Sequence, residues 1–217
     1  MAGSILITGA NGSLAIPAVD HLLKNYPEVT AILTVRNTSA EDVNTKRLQE
    51  TIARHPGAKA SIHRLDLASL DSVANFAKTI STDIASGKYP QLTSIVCNAY
   101  HWNLVSDPEF TKDGFEKTMQ VSHISHVSLV LRLLGSFAPG KAGRIVLFST
   151  DAHWPGKNMM ERYPPAIPDN NLDQLVKGAL PDPDNMYRGF QRYATAKLAT
   201  TTWMYALNQR LEKVIKH

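Results

Sequence analysis

Tyr193 and Lys197 stand four residues apart in a stretch of helical patterning, so their side chains share one face. An ammonium beside a phenol favours the phenolate, and the pairing is expected to lower the tyrosine pKa toward working pH. Tyr193 would then serve as a proton donor to a carbonyl oxygen. The apolar run 144–148 ends in two hydroxyls, Ser149 and Thr150, either of which could hold that oxygen by a hydrogen bond. Taken alone, Tyr-x-x-x-Lys also occurs in ordinary packed helices.

A second cluster opens the chain. The apolar run 5–7 breaks at Gly9 and Gly12, then restarts with apolar residues at Leu14, Ala15, Ala18, Val19, Leu22 and Leu23. Those steps of three and four mark a helix that can lie on a sheet, and Pro17 falls in its first turn, where it costs no hydrogen bond. Strand, glycine turn and helix in that order aim backbone N–H groups and a positive dipole end at one point, which suits a phosphate. Gly9, Gly12 and Ala15 occupy the three small-residue places of a dinucleotide fingerprint. Gly9, Asn11, Gly12, Ser13 and Leu14 are therefore candidate cofactor contacts. Arg36 ends the second apolar run, where an acidic residue would repel a 2′-phosphate; its guanidinium fork favours NADP(H) over NAD(H).

The elements that must position these groups follow an alternating pattern. Apolar runs at 30–35, 60–65, 91–97 and 144–148 alternate with helical stretches after Ser39, at 69–84, at 115–137 and at 193–213. This is the signature of an α/β fold with a doubly wound parallel sheet of Rossmann type, three layers α/β/α. Ser39 with Asp42 reads as a capping box. On the helix at 115–137, Val121, Ile124, Val127, Val130, Leu131 and Leu134 read as the apolar side. The proline-rich stretch 153–191 reads as a substrate or lid loop within a single domain, 1–217.

Composition narrows the function classes. Of 217 residues, 43% are hydrophobic and 19% charged, as in an ordinary globular protein, and the net charge of +4 is scattered without a basic run. No nucleic-acid partner is expected. A single cysteine, Cys97, excludes an internal disulfide and fits a reducing compartment. No apolar run nears the roughly twenty residues of a membrane span, and the first strand begins too early for a signal peptide, so a cytoplasmic location is expected. His123 and His126 share a helical face, but no third ligand stands at suitable spacing, so a structural role is favoured and no metal is expected. His101 with Trp102, and His153 with Trp154, could line a substrate pocket or simply pack beneath their loops.

Taken together and in order, these motifs resemble the short-chain dehydrogenase/reductase family. The matching segments are Thr8-Gly9-Ala-Asn-Gly12-Ser-Leu-Ala15, Asp66-Leu67, Asn98-Ala99, Asp113-Gly114-Phe115-Glu116 leading to Val121-Ser122-His123, Arg144 to Thr150, and Tyr193-Ala-Thr-Ala-Lys197. The resemblance implies that Asp66 and Leu67 line the adenine pocket and that Asn98 and Ala99 border the cofactor. It implies that Tyr193 is the acid/base, that Lys197 also binds the nicotinamide ribose, and that Thr150 aligns with the catalytic serine. Ser122 stands where an asparagine orders a water relay, and a serine offers that relay fewer hydrogen-bonding groups. Tyr100 replaces the usual glycine after Ala99, while Ser13 and Ala15 replace common glycines. The sequence ends without the family's Pro-Gly turn, which implies a sheet lacking the usual C-terminal strands.

The expected function is an NADP(H)-dependent oxidoreductase interconverting a ketone and a secondary alcohol. The long proline-rich stretch points to a bulky apolar substrate, sterol- or polyketide-like. By the same resemblance the two long helices would build a homodimer or homotetramer. A competing reading, favoured by Ser122, Tyr100 and the short C-terminus, is a non-catalytic NADP-binding sensor or scaffold. A third is an inactive truncated form.

Overall fold

The second strand explains the core. All six residues of β2 (Thr30–Val35) are buried, because a strand with helices on both faces needs an uninterrupted apolar run rather than an alternating one. The computed structural model describes residues 3–104, 107–140, 142–167, 171–177 and 184–215; within the expected lid, 168–170 and 178–183 lie outside the described residues. The other strands are β1 (Ser4–Ile7), β3 (Lys59–Arg64), β4 (Leu92–Cys97) and β5 (Arg144–Leu147). Their order is β3-β2-β1-β4-β5. β1 runs parallel to β2 and to β4, and β2 runs parallel to β3.

The chain thus winds outward from β1 to β3, returns to place β4 beside β1, and continues outward to β5. Right-handed crossovers then put α1 (Ala15–Asn25) and α2 (Val43–Ala53) on one face. They put α3 (Leu70–Ala85) and α5 (Ser125–Leu133) on the other. This is the doubly wound Rossmann-type α/β arrangement, with its switch point between β1 and β4. Val19, Leu23, Ala31, Leu33, Val35 and Leu48 form the cluster beneath α1 and α2. α3 buries Val73, Phe76, Ala77 and Ile80, capped by Ser69, whose side chain accepts from Ser72 N–H.

Several local expectations need correction. The cap of α2 is Asp42, which accepts from Thr45 N–H, whereas Ser39 Oγ accepts from Glu41 N–H outside the helix. Leu14 sits just before α1 and is 64% exposed, so it is not part of the apolar face. The helix expected at 115–137 is composite: α4 (Lys117–Met119), a π-helical turn (Gln120–Ile124), α5, and a 3₁₀ turn (Leu134–Ser136). Its buried stripe is Ser122, Ser125, His126, Leu129, Val130 and Leu133, while Leu131 is half exposed. α7 (Asn185–Ile215) begins eight residues before Tyr193, and α6 (Leu172–Lys177) interrupts the proline-rich stretch.

Two compact units can be distinguished, one on residues 1–99 and 126–146, the other on 100–125 and 147–217. The first holds the sheet with α1, α2, α3 and α5. The second is built on α7, whose Ala194, Ala196 and Ala199 let it approach Met119 on one side and Ala152 on another. Among the described residues, no helix is long and apolar enough to cross a membrane.

The core reading makes a stability prediction. Leu33 is fully buried and Leu131 is 50% exposed. Urea denaturation should show Leu33→Ala losing about 2–5 kcal/mol, and Leu131→Ala no more than about 0.5 kcal/mol.

Candidate functional site

In the first unit the glycine turn is laced down on three sides. Thr8 is fully buried. Its N–H donates to Val96 O at 3.0 Å, its Oγ1 accepts from Ala99 N–H at 3.0 Å, and the same oxygen lies 3.0 Å from His126 Nε2. The side-chain amide of Asn98 donates to the carbonyls of Thr8 at 3.0 Å and Gly9 at 3.1 Å. Ala10 N–H donates to Thr34 O at 2.9 Å. Gly9 has φ +62°, and a Cβ there would sit 3.0 Å from Ala99 Cβ, so only glycine fits without strain. Gly12 N–H closes the turn onto Gly9 O at 3.0 Å.

Beyond Gly12, Ser13 and Leu14 are exposed, and α1 starts without a side-chain cap. Within its first turn Ile16 N–H already donates to Gly12 O at 3.0 Å and Pro17 has no N–H, so the backbone donors an anion could meet here are those of Ser13, Leu14 and Ala15. Asn11 is used inside the protein, its amide donating to Thr45 Oγ1 at 3.0 Å and Asp42 Oδ1 at 3.4 Å, which ties the turn to the start of α2. Arg36 is exposed just past β2. The Thr45 backbone N–H, then its hydroxyl, hold the Asp42 carboxyl below the usual range, with Asn11 and the Arg36 charge adding to the effect. Asp66 is half-buried and accepts from Ala68 N–H at 2.9 Å, and Leu67 is buried beside it.

In the second unit, Tyr193 is half-buried. Its ring lies 5.4 Å from Trp102, edge-on, and 6.3 Å from Tyr100. The expected lowering of its pKa does not occur. Burial, with Tyr100 adding, pushes the phenol up, and Lys197 directs its ammonium elsewhere: Nζ donates to Phe148 O at 2.8 Å and stands 5.7 Å from the Tyr193 ring centre. Tyr193 and Lys197 do share a face of α7, as their spacing requires.

The two hydroxyls after β5 differ. Thr150 Oγ1 donates to Asp151 Oδ1 at 3.0 Å and accepts from Ala152 N–H at 3.4 Å, capping a short 3₁₀ turn. Ser149 is exposed, its Oγ 2.9 Å from His153 Nδ1 and 3.1 Å from Thr201 Oγ1. Ser122 is buried in the π turn, exchanging 3.2 Å bonds with the backbone N–H and C=O of His101. π turns recur at functional sites, but nothing in the residue pattern announces one.

Each histidine of the 123/126 pair has its own hydroxyl. His123 Nδ1 lies 3.2 Å from Thr200 Oγ1, and His126 pairs with Thr8. Glu116, quoted above only as part of a family segment, and Arg192, not singled out by the sequence, form an ion pair with side chains 3% and 8% exposed. Their signal was faint: an Asp-Gly-Phe-Glu run and an arginine directly before Tyr193.

A family model described as short chain dehydrogenase matches residues 4–164. The short-chain dehydrogenase iccH of Talaromyces variabilis is 30% identical, over 97% of this chain and 65% of its own. The WW domain-containing oxidoreductase of Gallus gallus is 34% identical over 69% of this chain and 33% of its own. The chain therefore spans between a third and two thirds of these relatives. Among solved structures, a metagenomic short-chain oxidoreductase in complex with NADP superposes with TM-score 0.65 at 17% identity, covering 97% of this chain and 77% of that one. An NADPH-bound carbonyl reductase from chicken fatty liver gives 0.63 at 19%, covering 93% and 68%. At such identities the likeness is one of fold.

His123 gives a pH prediction. Burial holds its pKa at about 4, below its usual 6.5, so the unfolded chain binds more protons between those values. Stability should fall as pH drops from 6.5 to 4, by on the order of 3 kcal/mol from this group. His63, also lowered by burial and by Lys88, adds to the same limb. His123→Asn should make that limb shallower in urea titrations across pH; an unchanged slope would refute the assignment.

Proposed function

The chain belongs to the short-chain dehydrogenase family, and on that premise we propose that it is an NADP(H)-dependent oxidoreductase interconverting a ketone and a secondary alcohol. The observation that carries the proposal is Tyr193, half-buried on the α7 face it shares with Lys197 and flanked by exposed aromatic rings.

The first unit suits a dinucleotide. The Gly9 position has no room for a Cβ and exposes its backbone, α1 begins uncapped, and Arg36 stands free of the sheet at the end of β2. Gly12, Ser13 and Leu14 would take the pyrophosphate, Arg36 the 2′-phosphate, and Asp66, Leu67 and Ala99 the adenosine side. Asn11 and Asn98 brace the turn from within. When bound, the nicotinamide cofactor supplies the hydride.

The chain's own residues supply the proton. A phenol whose pKa burial has raised is protonated at neutral pH, the form needed to donate from Oη to a carbonyl oxygen during reduction. Lys197, 5% exposed and fastened to Phe148 O, holds its turn of α7 beside Tyr193 and would meet the nicotinamide ribose. Ser149 Oγ is the hydroxyl open to a substrate oxygen, while Thr150 shapes the turn that presents it. Tyr100 and Trp102, 59% and 46% exposed, favour a bulky apolar carbonyl compound of sterol or polyketide type.

A sensor or scaffold that binds NADP without turnover is the second reading. It is favoured by the direction of the Tyr193 shift, which leaves no ready phenolate for alcohol oxidation. Fluorescence titration with NADPH, followed by a carbonyl panel, separates the two: binding without NADPH oxidation selects the sensor. Tyr193→Phe should lose at least about 100-fold in kcat with NADPH affinity nearly unchanged; a retained rate would remove Tyr193 from the mechanism. Arg36→Asp should weaken NADPH binding by roughly 10-fold or more relative to NADH, and an unchanged preference would dismiss Arg36 as the phosphate contact.

A further inference from the structure

Arg192 directly precedes Tyr193 on α7, and its side chain is 8% exposed. A guanidinium so placed is costly unless a counter-charge and hydrogen bonds offset its lost hydration. Here Nε lies 3.8 Å from Oε1 of Glu116, and an Nη donates to Asn103 O at 3.5 Å. Burial pushes the guanidinium pKa down, and Glu116 and then Asp107 oppose that.

Each of these contacts leads back to the phenol. Asn103 follows Trp102, whose ring meets Tyr193 edge-on. Gly189, one turn earlier on α7, sits so close to the same segment that a Cβ would lie 2.3 Å from Asn103 O. Glu116 is itself anchored: Oε2 accepts from Met119 N–H at 2.8 Å, and its own N–H donates to Val176 O at 2.8 Å. The π turn follows at once, and Ser122 within it grips His101, next to Trp102. Arg192 therefore joins α7, the 101–104 segment and the start of α4 at a single side chain.

We propose that the Glu116–Arg192 ion pair is a positioning clamp that holds the Tyr193 ring against Tyr100 and Trp102, and so fixes where its Oη delivers a proton. The proposal rests on Tyr193 being the acid/base. A buried ion pair adds little stability over a well-packed neutral pair of the same shape, so what the charges contribute is one fixed geometry.

The test uses the full chain carrying Arg192→Met, Arg192→Lys, or the double change Glu116→Gln with Arg192→Met, which strands no buried carboxylate if the single variant fails to fold. Two quantities are read: the single-turnover rate of NADPH oxidation with a carbonyl substrate, and the ¹³C NMR titration of ring-labelled tyrosine. Tyr193 is assigned as the signal missing from Tyr193→Phe. Both Met variants should lose roughly 10- to 100-fold in rate, as misplacing a reacting group does, with NADPH affinity unchanged. The Tyr193 signal should move and its midpoint fall toward that of ordinary tyrosine, and Arg192→Lys should recover part of the rate. A double variant that melts lower yet keeps its rate and its Tyr193 signal overturns the clamp. Should the unaltered protein reduce no carbonyl, the acid/base reading fails, while the Tyr193 signal still decides whether Arg192 positions the ring.

Discussion

The first unit depends on how closely the turn after β1 lies against the end of β4. Gly9 and Ala99 are in near van der Waals contact, and Thr8 satisfies backbone groups from both strands while itself fully buried. Asn98 adds two hydrogen bonds to the same carbonyls. Buried polar groups of this kind are tolerated only when every one is paired. The result is a rigid base at the point where the strand order reverses, and the backbone N–H groups of Ser13, Leu14 and Ala15 that lead into α1 are held still above it. An anion-binding site needs that stillness more than it needs any particular side chain, since the donors are backbone.

The second unit solves a different problem: it buries charged and polar groups around one phenol. Lys197 is carried into the interior and spends a hydrogen bond on a carbonyl. Gln120, fully buried, is held by Thr111 and by Asp113 at 2.7 Å. The price of such burial is offset pairwise, and each pairing restricts α7 further. Tyr193 takes its chemistry from this setting. Its spacing from Lys197 alone argued for an easily ionised phenol, but the ammonium has a nearer acceptor and the ring lies among other rings, so desolvation decides the direction.

Much of the fold could be read directly. The β2 run is apolar without interruption, and its ends coincide with the strand because both faces are covered. The glycine turn was legible for the same reason, since Gly9 and Gly12 answer to backbone geometry rather than to distant partners. What stayed hidden depended on long-range contacts. The start of α7 was masked by Gly189, a helix-weakening residue that is required only because Asn103 passes so near. The buried stripe around α5 begins with Ser122, Ser125 and His126, three polar residues that a count of apolar positions passes over. The Glu116–Arg192 pair could not be found by spacing at all, because its members stand 76 positions apart in the sequence.

The π-helical turn at Gln120–Ile124 constrains the residue count of its segment. It is the equivalent of one extra residue slipped into a helix, and each residue turns an α-helix by about 100°. The helical wheel upstream of residue 120 is therefore out of phase with the wheel downstream of 124. Removing a single residue here would yield a smoother helix and yet swing Glu116 away from the side it now serves. A change in residue count here would therefore have to be matched by simultaneous repacking on both sides of the insertion.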